Sequence, residues 1–341
     1  MKIKKLSRYP TISVIIATFN SEKTIKLCLE SVRSQLYPQE KITILLADGG
    51  STDNTFRIVK QYDVKIISVP PKLQNAEYNK GIAVRKSKDE LLLMIDHDNV
   101  LPHKMWLAKM VYPLLKEKDI VGVETLRYKY DPKASLLDRY FGLFGGGDPL
   151  SFYLGKSDRL AFLYKKYNLF GKAKDKGDYY KVSFAPDKIP TLGANGFLIR
   201  RNILINNAQV DKNHFFHIDV NVDLIKKGFN TYAFIKDDIM HLTGYKSISS
   251  FLYRRKLFME QYHIKNNQNR RYSVYMPSDR LKLLIFVIYA TTFVKPTIDA
   301  IRGYRNIHDN AWFVHPVLCF TLFCIYSFVI IKTFIRKAYV Q

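Results

Sequence analysis

Along the first 125 positions, short apolar runs rich in β-branched residues alternate with stretches whose apolar positions recur every three to four residues. That is the pattern of a parallel sheet covered by helices. The runs 12–17, 42–47, 64–69, 91–95 and 120–123 read as strands. Between them Ile25, Leu29, Val32 and Leu36 mark one helix, Phe56 and Val59 a second, and 105–115 a third that begins after Pro102. The pattern predicts an α/β, Rossmann-like half over 10–125. Ligands of such sheets collect at the carboxyl ends of the strands, so the loops at 18–21, 48–54 and 96–99 are expected to share one crevice.

The regularity stops near Lys129. Residues 129–183 carry Gly145-Gly146-Gly147, many Tyr and Phe, and the basic stretch 172–181, and are expected to form an insertion over the crevice. A second sheet-and-helix portion over 191–245 completes a catalytic domain spanning 1–245. In the connector 246–280, Ile248, Phe251, Leu252, Phe258, Met259 and Tyr262 fall on one helical stripe beside Arg254, Arg255 and Lys256, which suits a membrane surface.

The region 281–341 differs in kind. The only ionisable side chains in 311–331 are His315, Cys319, Cys324 and Tyr326, and a helix of that length reaches about 31 Å, enough to cross a bilayer core. The shorter run 283–294, bracketed by Lys282, Lys295 and Pro296, reads as a second span over 281–296, a re-entrant piece or a buried helix. Lys332, Arg336 and Lys337 follow the long run and are expected to mark a cytosolic C-terminus. With the catalytic domain on the same side, an even number of crossings is required.

Composition narrows the function classes. The 341 residues are 47% hydrophobic and 14% aromatic, which excludes a disordered chain and a small staple-dependent scaffold. The formal charge of +24 asks for an anionic partner: nucleic acid, anionic lipid or a phosphate-bearing substrate. The basic residues are spread along the chain without a nucleic-acid motif, so no nucleic-acid partner is expected. Cys28, Cys319 and Cys324 form no even framework and read as reduced thiols. The basic start passes into a strand without an apolar segment, so no secretory signal is expected.

Three motifs carry chemistry. They are Ile12-Ser13-Val14-Ile15-Ile16-Ala17-Thr18-Phe19-Asn20, Ala47-Asp48-Gly49-Gly50-Ser51-Thr52-Asp53-Asn54-Thr55, and Ile95-Asp96-His97-Asp98-Asn99. An Asp-x-Asp at a strand end can hold a hard divalent cation through one or two carboxylate oxygens, leaving its other positions for substrate phosphates. Such a cation neutralises charge on a leaving diphosphate. A solvated acidic turn is the bland reading of the same residues.

In this order on successive strand ends, the motifs resemble the family 2 glycosyltransferases of the GT-A fold. The resemblance implies an inverting glycosyltransferase that uses a nucleotide-diphosphate sugar and Mg2+ or Mn2+. It makes Asp98 a metal ligand, has Asp96 contact the ribose or the metal, and lets Asp48, Ala17, Phe19 and Asn20 hold the nucleoside. Gly49 departs from the family's pattern, in which a second Asp often stands there, so any base contact by that carboxylate is absent. Asn79 and Gly81 match an Asn-x-Gly element, or else are a helix cap and a packing glycine.

On the acceptor side the resemblance covers the strand from Gly193 through Asn195 to Arg201. Counted back from Gly228, the family's last Asp falls on Asp219 and its usual base on His217. Both can accept a proton from an acceptor hydroxyl; Asp219 is slightly favoured, since a carboxylate also stabilises charge at the anomeric carbon. His241 falls where relatives often put a histidine near the metal or diphosphate, and Arg254 and Arg255 resemble a basic element suited to phosphate or, equally, to a membrane surface. Asp148, beside the glycine run, is a candidate for the acceptor site. The expected acceptor is a lipid-linked or surface glycan, reached from a membrane with the catalytic domain in the cytosol. The competing reading is a catalytically inactive membrane-anchored scaffold or nucleotide-sugar-binding protein.

Overall fold

The computed structural model describes residues 6–186, 188, 191–193, 195–211, 213, 215–265, 270–272 and 276–338. The elements begin β1 (Ile12–Thr18), α1 (Ile25–Arg33), β2 (Ile42–Asp48), α2 (Thr55–Val59), β3 (Lys65–Ser68), α3 (Ala76–Lys86), β4 (Leu91–Asp96) and β5 (Asn99–Val100). They continue with α4 (Trp106–Lys116), β6 (Gly122–Tyr128), α5 (Leu136–Phe144), α6 (Pro149–Leu154), β7 (Lys172–Asp175), β8 (Tyr179–Ser183) and β9 (Phe197–Arg200). Last come α7 (Arg201–Asn207), α8 (His217–Lys226), β10 (Thr231–His241), α9 (Ile248–Phe258), α10 (Arg280–Thr292), α11 (Val294–Asn306) and α12 (Val314–Ala338). The chain divides into two compact units, Met1–Lys129 with Phe170–Leu242, and Tyr130–Leu169 with Thr243–Gln341.

In the first unit the strands join one sheet in the order β3-β2-β1-β4-β9-β6-β10-β8-β7, with β5 paired to β10. Strands β3, β2, β1 and β4 are parallel, and β1 and β2 end in register, Thr18 beside Asp48, while Ala17 lies beside Asp96 of β4. All seven residues of β1 are buried, as expected where helices cover both faces of a parallel sheet. The strand expected over 120–123 is β6 and runs over Gly122–Tyr128, later than the apolar run suggests, because the buried Glu124 and Thr125 interrupt its hydrophobic pattern. It is not adjacent to β4, since β9 inserts antiparallel between them. The stretch 129–183 is split: β7 and β8 form an antiparallel edge of this sheet, whereas Tyr130–Leu169 packs in the second unit.

The second unit is helical. Tyr140, Phe141 and Phe144 of α5 and Leu150 and Leu154 of α6 share one core with Trp312 and with Leu318, Leu322 and Tyr326 of α12. Gly145 ends α5 with φ +72°, and a Cβ there would lie 2.2 Å from the Arg159 carbonyl oxygen, so only glycine makes the turn. The connector helix α9 passes into a π-helical turn over Met259–Lys265; Phe251 and Met259 of its stripe are buried and Phe258 is exposed. Helix α10 has 13 residues, about 20 Å, and bends by 78° at Phe293 into α11, so by itself it is shorter than a bilayer core. Among the described residues one helical segment, Asn310–Ile335, is long and apolar enough to cross a membrane. Its exposed Phe313, Val317, Phe320, Phe328, Ile331 and Ile335 recur at helical spacing along one stripe. The side chains of Arg336 and Lys337 and residues 339–341 lie outside the described part.

Candidate active site

The exits of β1 and β2 are knitted together by short polar side chains. Asp48 accepts hydrogen bonds from the Gly50 and Ser51 amides, both at 2.8 Å, and from the Ser51 hydroxyl at 2.5 Å. Ser51 Oγ in turn accepts the Asn20 amide at 2.9 Å, and Asn20 Oδ1 accepts the Thr52 amide at 2.9 Å. Asp48 is thereby buried and shapes the loop from within, while Phe19 and Asn20 remain exposed beside it. Gly49 has a steric reason: a Cβ there would meet Gln74 Cγ at 2.2 Å and Asn79 Nδ2 at 3.3 Å. Asn79 is buried beneath it, its Nδ2 reaching the Ala47 carbonyl at 3.5 Å while its Oδ1 makes no hydrogen bond among the described residues.

At the exit of β4 the two aspartates have different partners. Asp96 pairs with Lys80 at 2.6 Å, and Asp98 faces His241 at 3.5 Å across the end of β10. Burial pushes the Asp98 carboxyl up, but His241, with help from His97, outweighs it and draws the pKa down to about 2. His241 reaches Asp98 because β5 pairs with β10, Asn99 opposite His241, and because the Leu242 amide donates to the Asp98 carbonyl at 2.9 Å. Asp98 thus supplies an anionic oxygen donor of the kind a hard cation takes. Among the described residues no three His, Cys, Asp or Glu side chains converge on one point.

The loop before β9 joins this cluster. Asn99 Nδ2 donates to Asn195 Oδ1 at 3.1 Å, Asn195 Nδ2 donates to the Tyr128 hydroxyl at 3.0 Å, and the Gly193 amide donates to Glu124 Oε1 at 2.8 Å. Gly193 has φ +107°, and a Cβ on it would approach the His217 carbonyl oxygen to 2.5 Å. His217 opens α8, with 22% of its side chain exposed, and Asp219 one half-turn on is 0% exposed. Of the two base candidates, only the histidine has access to solvent.

Residues 13–188, just over half of the chain, match the model of Glycosyl transferase family 2. The chain belongs to that family. Glycosyltransferase AglE of Haloferax volcanii is 31% identical over 139 residues, covering 39% of this chain and 45% of the relative. The dolichyl N-acetyl-alpha-D-glucosaminyl phosphate 3-beta-D-2,3-diacetamido-2,3-dideoxy-beta-D-glucuronosyltransferase of Methanococcus voltae is 41% identical over 78 residues, covering 21% of this chain and 24% of the relative. The chain therefore spans less than half the length of either. The mannosyltransferase PcManGT of Pyrobaculum calidifontis, solved with GDP-Man and Mn2+, superposes with a TM-score of 0.51 at 14% identity, covering 94% of this chain and 87% of that one. That likeness shows the fold, which is of the GT-A type.

The remaining candidates of this family 2 chain fall in the second unit. Arg254 is exposed. Arg255 is paired with Asp148, which also accepts the Tyr326 hydroxyl at 2.8 Å and caps α6 by accepting the Leu150 amide at 3.0 Å. Asp148 and Arg255 thus hold each other. Sequence reasoning missed Glu77, Lys80 and Glu124, all buried and polar. Two charges three positions apart in a segment with no clear apolar face, 76–86, were the only signal for Glu77 and Lys80.

Proposed function

We propose that this chain moves a sugar from a nucleoside-diphosphate sugar to an acceptor hydroxyl with inversion at the anomeric carbon, using Mg2+ or Mn2+. The observation that carries the reading is the meeting of three strand exits: exposed Phe19 and Asn20, the Asp48 loop, and Asp96 with Asp98. Phe19 offers an aromatic face to a nucleobase, and the loop shaped by Asp48 receives the ribose. Asp98, with His241 beside it, would hold the divalent ion, which when bound neutralises charge on the diphosphate. Lys80 fixes Asp96 and keeps one positive charge among these carboxylates.

His217 takes the proton of the acceptor hydroxyl as that oxygen bonds to the anomeric carbon, and the bond from that carbon to the diphosphate oxygen breaks with its electron pair on the diphosphate. Asp219 lies fully buried in the first turn of α8. The catalytic chemistry is assigned within 1–245, with 246–280 as connector and 281–341 at the membrane, the catalytic part facing the cytosol. The exposed apolar stripe of α12 supports the membrane attachment of 281–341. A lipid-linked or membrane-proximal glycan is the acceptor we favour, in keeping with the dolichyl phosphate in the name of the Methanococcus voltae relative.

The test is a screen of purified full-length protein against GDP- and UDP-linked sugars with and without Mn2+, reading release of nucleoside diphosphate. Metal-dependent turnover of one donor is expected. Binding without turnover under any acceptor would favour the inactive scaffold, and no binding at all would overturn the reading.

A further inference from the structure

An imidazole differs from a carboxylate in having two unlike nitrogens, so a histidine base needs something to decide which of them carries the proton. Glu77 is placed to decide it. The residue lies in the first turn of α3, where Asn75 caps the helix by accepting the Glu77 amide at 2.9 Å. Its two carboxylate oxygens both go to one residue 140 positions away: Oε2 accepts the His217 backbone amide at 2.8 Å, and Oε1 lies 2.5 Å from His217 Nδ1. Two contacts from one buried carboxylate fix the ring's position and plane, as a single contact would not. Nδ1 is therefore the donor. In the neutral ring Nε2 then carries the lone pair, and among the described residues no hydrogen bond engages it.

Glu77 stays ionised in this setting. Burial pushes its carboxyl up, but His217 pulls it down, first through its charge when the ring is protonated and then through the Nδ1 and backbone-amide hydrogen bonds that remain when the ring is neutral, with Lys80 adding to it. The other charges about the pair are Lys80 from α3, Asp96 at the end of β4 bound to that lysine at 2.6 Å, and the buried Asp219 on α8. The far side of α8's first turn is braced as well, because Asn221 Nδ2 donates to the His217 carbonyl at 2.8 Å.

We propose that Glu77 is a positioning residue for His217, holding the imidazole in the Nδ1–H tautomer so that Nε2 receives the proton of the acceptor hydroxyl. This rests on the assignment of His217 as the base. Glu77 touches neither sugar nor acceptor; it acts through the ring alone. A glutamine at 77 can still accept the backbone amide, but it must then offer its NH2 to Nδ1, which forces the ring proton onto Nε2 and removes the base while preserving shape.

The experiment compares wild type, Glu77→Gln, His217→Asn and the double variant as full-length protein. Long-range proton–nitrogen spectra of 15N-histidine-labelled protein, with His217→Asn to assign the resonance, read the tautomer without any substrate. Nδ1–H is expected in wild type and Nε2–H in Glu77→Gln. With GDP-mannose, UDP-glucose and UDP-N-acetylglucosamine as donors, Glu77→Gln should lower kcat by about 100-fold or more, the scale of general-base loss, with donor KM little changed. In the His217→Asn background the same change should cause no further loss, because a residue that works only through the ring has nothing left to position. A wild-type ring protonated on Nε2, an unchanged kcat in Glu77→Gln, or independent losses in the double variant would each overturn the proposal. A wild-type protein that turns over none of the donors while showing the Nδ1–H ring would instead refute the transfer reaction, and the two failures are thereby told apart.

Discussion

Replacing Lys80 by methionine keeps the side chain's length and removes its charge where only 3% of it is exposed and Nζ lies 2.6 Å from Asp96 Oδ1. Burial pushes the Lys80 pKa down, but Asp96, then Glu77 and Asp98, outweigh it, and the pKa stands above its ordinary value. The ammonium is therefore charged at neutral pH, and its stabilisation is complete below about pH 10.4 and fades only as pH rises through the folded value. Removing one partner of a buried ion pair costs about 3–5 kcal/mol; Asp96 keeps 26% of its side chain in water, so we expect the lower end, about 3 kcal/mol. Trp106 is fully buried in the same unit and reports its unfolding in denaturant once Trp312 is replaced by phenylalanine. Lys80→Met with Asp96→Asn should recover at least about 1.5 kcal/mol of the loss, since no carboxylate is then stranded. A single variant that loses less than about 1 kcal/mol, or a double variant no more stable than the single, would show that the pair is not what holds this corner.

Asp98→Asn should abolish Mn2+-dependent strengthening of nucleoside-diphosphate binding, by more than the roughly 10- to 100-fold that loss of an outer-shell partner causes, and calorimetry with GDP and with UDP, each with and without Mn2+, checks it. At Glu117, burial pushes the carboxyl up while Lys181, Tyr179 and Lys176 draw its pKa down to about 2. Its stabilisation is present above the ordinary carboxylate value and is lost as pH falls toward about 2, so Glu117→Gln should be less stable at pH 7 by roughly 1–2 kcal/mol after solvent screening and match wild type near pH 2. Removal of 281–341 takes away α10 to α12, whose core is shared with α5 and α6, and should give a protein that leaves membranes but aggregates; a monodisperse product in size-exclusion chromatography would contradict the shared core.

The parallel strands were legible because their runs are dominated by apolar, largely β-branched residues, and the three motifs because their polar residues stand together at the ends of successive runs. What the pattern concealed was of two kinds. Strand β9 wedges between β4 and β6 although it comes some 100 residues after β4, and no local period encodes such a partner. The charges Glu77, Lys80 and Glu124 look like surface residues until their partners are known: His217 and the Gly193 amide lie far away in the chain, and Asp96 stands at the exit of the next strand. Asp219 shows the converse. Counted back from Gly228 the usual base falls on His217, yet Asp219 is slightly favoured because a carboxylate also stabilises charge at the anomeric carbon; its complete burial on α8 is what the spacing does not reveal. Asp148 and Arg255 were singled out separately, and nothing in their spacing announced that they neutralise each other.

The helical unit is assembled from two stretches of chain, and this sets a timetable for its synthesis. Tyr140 hydrogen-bonds to His315, which lies 175 residues downstream. At about 5–20 residues per second, a ribosome takes roughly 9–35 s to reach that histidine after making the tyrosine. Through that interval Tyr140, Phe141 and Phe144 have no Trp312 or α12 to cover them, while the sheet strands from Lys172 to His241 emerge and find their places. The nascent protein thus carries an uncovered aromatic helix throughout that interval. Slowing translation after Leu169 should lengthen its dwell on chaperones, whereas the same slowing after Ala338 should not.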